Sequence, residues 1–153
     1  MYKIKTLLTC TVVLAILYAV HFLSSAFGHN IFQYYETNTL LDKVLFLAVV
    51  LMEIIIFVGL VFISIGLIRI IKSGIFTFRA ANCIKTGGIL FLLASVLDFI
   101  YVFHSVIEFD NPELWLQRIF TNVLLVLLGL TALIVSDVLS EGSFIKQEND
   151  LTI

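Results

Sequence analysis

Two carboxylic acids stand inside long apolar runs, Glu53 within Leu51-Met52-Glu53-Ile54-Ile55 and Asp98 within Val96-Leu97-Asp98-Phe99-Ile100. An ionisable side chain at the centre of a bilayer costs about 2.5–3.5 kcal/mol on insertion scales, so each needs an account. Glu53 lies nine residues in from the start of its apolar segment, and Asp98 ten residues in from the start of its own. At about 1.5 Å per residue both reach a similar middle depth. On neighbouring helices two such groups could share a proton, which is chemistry for a proton-coupled transporter or sensor. The other reading is structural, with buried polar groups bonding between helices for about 0.6 kcal/mol each. The sequence leaves both open.

The surrounding pattern adds candidates. At about 100° per residue, Asp98, Tyr101, His104, Ser105 and Glu108 fall within about a third of one helix circumference, a polar stripe running from mid-depth to one edge. Glu53, Leu60 and Ser64 share a face, whereas Gly59 and Gly66 share another and permit a close helix neighbour. His21 and Asn122 sit toward the same edge as the stripe. No Ser-His or Cys-His arrangement, His-Glu-x-x-His or glycine-rich phosphate loop is present, so no catalytic residue is assigned and no enzyme is expected. Cys10 and Cys83 are widely spaced with no neighbouring His, a pattern that predicts neither a metal site nor a cofactor.

The elements that must carry these residues follow from composition. Of 153 residues, 61% are hydrophobic and 13% charged, against about 45–50% and about 25% in ordinary soluble domains. Long Leu, Ile and Val runs with 14 Phe would leave large apolar patches if water were the solvent. Four windows, residues 7–27, 44–68, 88–107 and 119–139, reach the roughly 20 apolar residues that a spanning helix needs. The expected fold is therefore all-α: a single polytopic membrane domain over residues 1–153, with four transmembrane helices and a tail over residues 140–153. Thr39 and Asp42 suggest a loose capping box before the second helix, and Asn111 a cap for a helix starting at Pro112, with Trp115 at the interface.

Basic residues set the expected orientation. Lys3, Lys5, Arg69, Lys72, Arg79, Lys85 and Lys146 fall on one side, and only Lys43 and Arg118 on the other. That bias predicts both termini and the middle segment in the cytoplasm. Lys3 and Lys5 before an apolar stretch ending in Ser24-Ser25-Ala26 also fit a cleavable signal peptide, but the stretch is long for one, and an uncleaved first helix is expected.

The middle segment, residues 69–87, mixes four bases with Ile70, Ile71, Ile75, Phe76 and Phe78, which suits the lipid headgroup region. The tail is polar yet ends on Leu151 and Ile153, and Gly142 is expected to break the helix before a short amphipathic return to the membrane. Its residues, Ser136-Asp137-Val138-Leu139-Ser140-Glu141-Gly142 and then Lys146-Gln147-Glu148-Asn149-Asp150-Leu151-Thr152-Ile153, resemble a bacterial family of small four-helix membrane proteins, domain of unknown function 2975. The resemblance implies a multi-pass protein of the bacterial inner (plasma) membrane whose gene often neighbours one for a small helix-turn-helix regulator. It transfers no catalytic residue.

Two functions are weighed from here. One is a membrane interaction or regulatory protein, holding a cytoplasmic partner such as a helix-turn-helix regulator through Glu148, Asn149, Asp150, Leu151, Thr152 and Ile153. The other is a small proton-coupled transporter or sensor on Glu53 and Asp98, as a homo-oligomer because four helices alone enclose little space. The lipid bilayer is a partner in both, and no direct nucleic-acid binding is expected from a chain of net charge −2.

Overall fold

The computed structural model describes residues 2–28, 40–108 and 112–151, which form four helices: α1 (Tyr2–Gly28), α2 (Leu40–Ser73), α3 (Phe78–Glu108) and α4 (Pro112–Leu151). Continuous apolar sequence makes them helical, because a backbone in hydrocarbon must satisfy its own N–H and C=O groups and a helix does so within one segment. Each contains a stretch long and apolar enough to cross a membrane: Tyr2–Ser24, Leu47–Ser73, Phe78–Phe103 and Ile119–Asn149. The four expected spans lie inside longer helices.

Consecutive helices pack antiparallel. α3 lies between α2 and α4, and α1 docks chiefly on α2. Glycine brings the three later helices together. Gly59 of α2 meets Gly87 of α3, and a Cβ built on Gly87 would lie 2.9 Å from the Gly59 carbonyl oxygen. On the other side, a Cβ on Gly88 would lie 2.9 Å from the carbonyl oxygen of Gly129 in α4. Two adjacent glycines thus serve two different neighbours, since successive residues point about 100° apart. Gly66 continues the α2 seam against Ala80 and Ile84, so the expected close approach at Gly59 and Gly66 is seen. Around these contacts lie two apolar clusters, one with Leu67, Ile70, Ala80, Ala81, Ile84, Ala132 and Leu139, the other with Met52, Ile56, Phe91, Ala94 and Leu125.

α1 is different. Ala15 is its one buried apolar residue among those described, and Leu14, Ile16, Leu17 and Val20 are exposed, as suits a helix with lipid on most sides.

Residues 69–87 are mostly helix and not the connecting segment that their bases suggested. Only residues 74–77 link α2 to α3. Gly74 takes φ +94° and its N–H donates to the Ile70 carbonyl at 3.0 Å, the left-handed ending that glycine favours. The Thr77 carbonyl then accepts from the N–H groups of Ala80 and Ala81 at the start of α3.

α4 brings a second correction. It runs unbroken over 40 residues, through Gly142, to Leu151. A glycine inside a helix costs about 1 kcal/mol and does not by itself end it. Here the Phe76 ring packs over the bare Cα of Gly142, occupying the space a Cβ would need. At about 1.5 Å per residue α4 is about 60 Å long, roughly twice the hydrocarbon thickness. Pro112 is its first residue, as expected, whereas Asn111 and Thr39 lie outside the described residues.

Candidate functional site

Asp98 is 1% exposed, the largest side chain buried so completely among the described residues. It continues the row Ala80, Ile84, Gly87, Phe91, Ala94 at helical spacing, the row by which α3 meets α2. Its Oδ2 atom makes no hydrogen bond, although the residue is not without a partner. Glu53 is half-buried. The pairing of Gly59 with Gly87 and of Gly66 with Ala80 sets Glu53 opposite the residue five before Asp98, about 7.5 Å from it along the helix axis. Met52 and Ile56 occupy the α2 seam, and Glu53, one residue after Met52, is turned about 100° from it. Asp98 thus lies on the α2–α3 seam and Glu53 beside it, offset along the axis.

Of the other candidates, Tyr101 is half-buried one turn beyond Asp98, and His21 is exposed on α1. The side chains of His104, Ser105 and Glu108 lie outside the described residues. Asn122 was placed with the outer cluster, and its Nδ2 donates to the Ser95 carbonyl at 2.6 Å, one turn from Asp98. Lower down, Ser136 Oγ donates to the Ala81 carbonyl at 2.9 Å and is itself buried. Most other described serine and threonine hydroxyls bond back within their own helix, as Ser64 does to Leu60 and Ser95 to Leu92. Asn122 and Ser136 thus each tie α4 to α3 by a hydrogen bond.

At the end of the molecule where α2 turns into α3, a cavity of about 460 Å³ opens between the turn and α4. Its walls carry Arg69, Arg79 and Lys146, the hydroxyls of Ser73, Thr77 and Ser143, and the rings of Phe76 and Phe78. Arg69 is braced: its Nη1 donates to the Arg79 carbonyl and to the Cys83 sulfur, each at 3.1 Å. Cys83 is buried and packs with the apolar residues of the core. The bases were visible in the sequence as an orientation signal and the tail as a contact segment. Their convergence was hidden, because it depends on α4 continuing past Gly142 to carry Ser143 and Lys146 back beside the turn.

Glu148 and Asn149 are exposed on the last turns of α4, as is Leu151. The Asp150 side chain and residues Thr152 and Ile153 lie outside the described residues.

Residues 28–153 match the family model described as a protein of unknown function, DUF2975. The chain belongs to this family. The match spans α2, α3 and α4, the three helices joined by the glycine contacts, and meets α1 only at its last residue. No curated protein and no solved structure matches the chain. The chain has four helices long and apolar enough to cross a membrane, three of them within the matched region.

Proposed function

We propose that the protein is a regulatory interaction protein of the bacterial inner membrane, with both termini cytoplasmic, and that the α4 extension holds a soluble partner there, a small helix-turn-helix regulator. The observation that carries this reading is the unbroken course of α4 to Leu151. A disordered tail would pay an ordering cost on binding, whereas an exposed helix presents Glu148, Asn149 and Leu151 in fixed register. The basic residues at the α2–α3 end support the orientation, and the family resemblance supports the type of partner. No chemical step is part of this function.

Ending the chain after Lys146 tests it. Affinity capture from native membranes should recover a small DNA-binding protein with the full chain and lose it with the truncated one. Identical recovery from both would reject the α4 end as the holding surface. Cysteine labelling at Lys3 and at Lys146, from either side of sealed vesicles, checks the orientation.

A second reading rests on the burial of Asp98 within the apolar stretch of α3. In a proton-coupled transporter or sensor, Asp98→Asn and Glu53→Gln would each abolish acid-driven proton uptake into liposomes holding a pH-sensitive dye. Uptake equal to the parent's in both variants would make the carboxylates structural.

A further inference from the structure

The cavity beside the α2–α3 turn collects positive charge with nothing on its walls to balance it. Arg69, Arg79 and Lys146 contribute three cations, and no acid lines it among the described residues. Neither the Arg79 nor the Lys146 side chain forms a hydrogen bond or ion pair there, and the two bonds of Arg69 both leave from Nη1 to neutral acceptors. An anion placed among these three cations would be attracted by each of them. The Ser73 hydroxyl adds a donor around the same space, whereas those of Thr77 and Ser143 already donate to the Gly74 and Ser140 carbonyls. Guanidinium groups, an ammonium and a hydroxyl make a donor set suited to the oxygens of a phosphate group.

The position of the cavity says where that phosphate comes from. α2 and α3 end and begin their apolar stretches at Ser73 and Phe78, so the turn lies at the edge of the membrane. Exposed Ile75, Phe76 and Phe78 flank it, at 51%, 44% and 50%. Phe76 and Phe78 also line the cavity, giving it an apolar side that inorganic phosphate has no use for and the glycerol and upper acyl chain of a lipid would cover. We infer that this cavity is a binding site for an anionic phospholipid, with the headgroup phosphate held by Arg69, Arg79 and Lys146. The site reaches beyond the general attraction of a basic segment to a charged surface, because Lys146 and Ser143 come from the far end of the chain. It is independent of the proposed soluble partner.

Native mass spectrometry of the full chain in detergent micelles, with phosphatidylglycerol or phosphatidylcholine added at equal concentration, tests the site. The parent should retain phosphatidylglycerol and not phosphatidylcholine. Arg79→Gln with Lys146→Gln, both at exposed positions, should weaken that retention by roughly 30-fold, the effect of two basic residues near an anionic surface. Lys72→Gln with Lys85→Gln removes two exposed charges that do not line the cavity and should leave retention close to the parent's. Equal losses in the two double variants would reduce the effect to overall charge and overturn the site. Equal retention of the two lipids by the parent would also overturn it. Inorganic phosphate supplies the remaining arm: if it displaces the lipid from the parent at matched concentration, the site is one for free phosphate and the lipid assignment fails. Unchanged circular dichroism of the variants confirms that they are folded.

Discussion

Replacing Gly88 by alanine places a methyl group between two backbones. The new Cβ would lie 2.9 Å from the Gly129 carbonyl oxygen, 3.0 Å from the Ala132 Cβ and 3.3 Å from the Leu133 nitrogen. All three belong to the backbone of α4 or are fixed directly to it, so no rotamer change relieves them, and α4 must move by a few tenths of an ångström. Overpacking of this kind costs about 1–3 kcal/mol. The movement also stretches the Ser136 and Asn122 bonds, which at about 0.6 kcal/mol each add a smaller loss. Against this stands the better helix propensity of alanine, up to about 1 kcal/mol. The expected net loss is about 1–2 kcal/mol, roughly a 5- to 30-fold fall in the folded to unfolded ratio. Gly66→Ala is the internal comparison. Its Cβ would lie 2.7 Å from Cγ1 of the buried, β-branched Ile84, which must shift but is not backbone, and 3.3 Å from the Ala80 oxygen, so a loss of about 1 kcal/mol, smaller than that of Gly88→Ala, is expected. Titration of each purified variant from mild micelles into dodecyl sulfate, followed by circular dichroism, gives the two values. A Gly88→Ala protein as stable as the parent, or more stable than Gly66→Ala, would refute the reading of a tight α3–α4 backbone contact.

The same titration should show Ser136→Ala and Asn122→Ala each losing about 0.6 kcal/mol and no more than about 1.7, the measured range for bonds between membrane helices; no loss in either would mean that these bonds do not join α3 to α4. Gly74→Ala should cost about 1–2 kcal/mol although the space around it is open, because its φ of +94° is strained for any residue with a Cβ; a stability equal to the parent's would show that the α2 ending is not left-handed. Spin labels at Val138 and Leu151, both exposed, in a chain with Cys10 and Cys83 replaced by alanine, should report one narrow backbone separation of about 20 Å, thirteen residues of helix. A broad distribution would mean that α4 breaks near Gly142.

The spans were legible in the sequence because lipid imposes one simple demand, an unbroken apolar run of fixed length. Gly59 and Gly66 were legible as contact points because a separation of seven residues returns to the same helix face. Gly87 and Gly88 carried no comparable signal, since adjacent residues point in different directions and their partners, Gly59 and Gly129, stand far away in the chain. The depth of Glu53 and Asp98 could be counted from the ends of their segments. Their angular positions could not, because the helix face toward a neighbour is set by packing that the sequence does not display. Gly142 misled for a physical reason: propensity speaks against glycine in a helix, and the Phe76 ring that covers it comes from a turn more than sixty residues earlier.

The adjacent pair in α3 has an evolutionary corollary. Because Gly87 faces α2 and Gly88 faces α4, this helix is read as a frame with two fixed phases, much as a coding sequence is. Exposed positions such as Val96, Phe99 and Phe103 can exchange one apolar residue for another at little cost. A single inserted residue after Gly88 would instead rotate everything beyond it by about 100°, swing Asp98 out of its buried row, and carry Ser95 away from Asn122. Chains that diverge from this one are therefore expected to vary freely in α3 by substitution while keeping the number of residues between Gly88 and Asp98 unchanged.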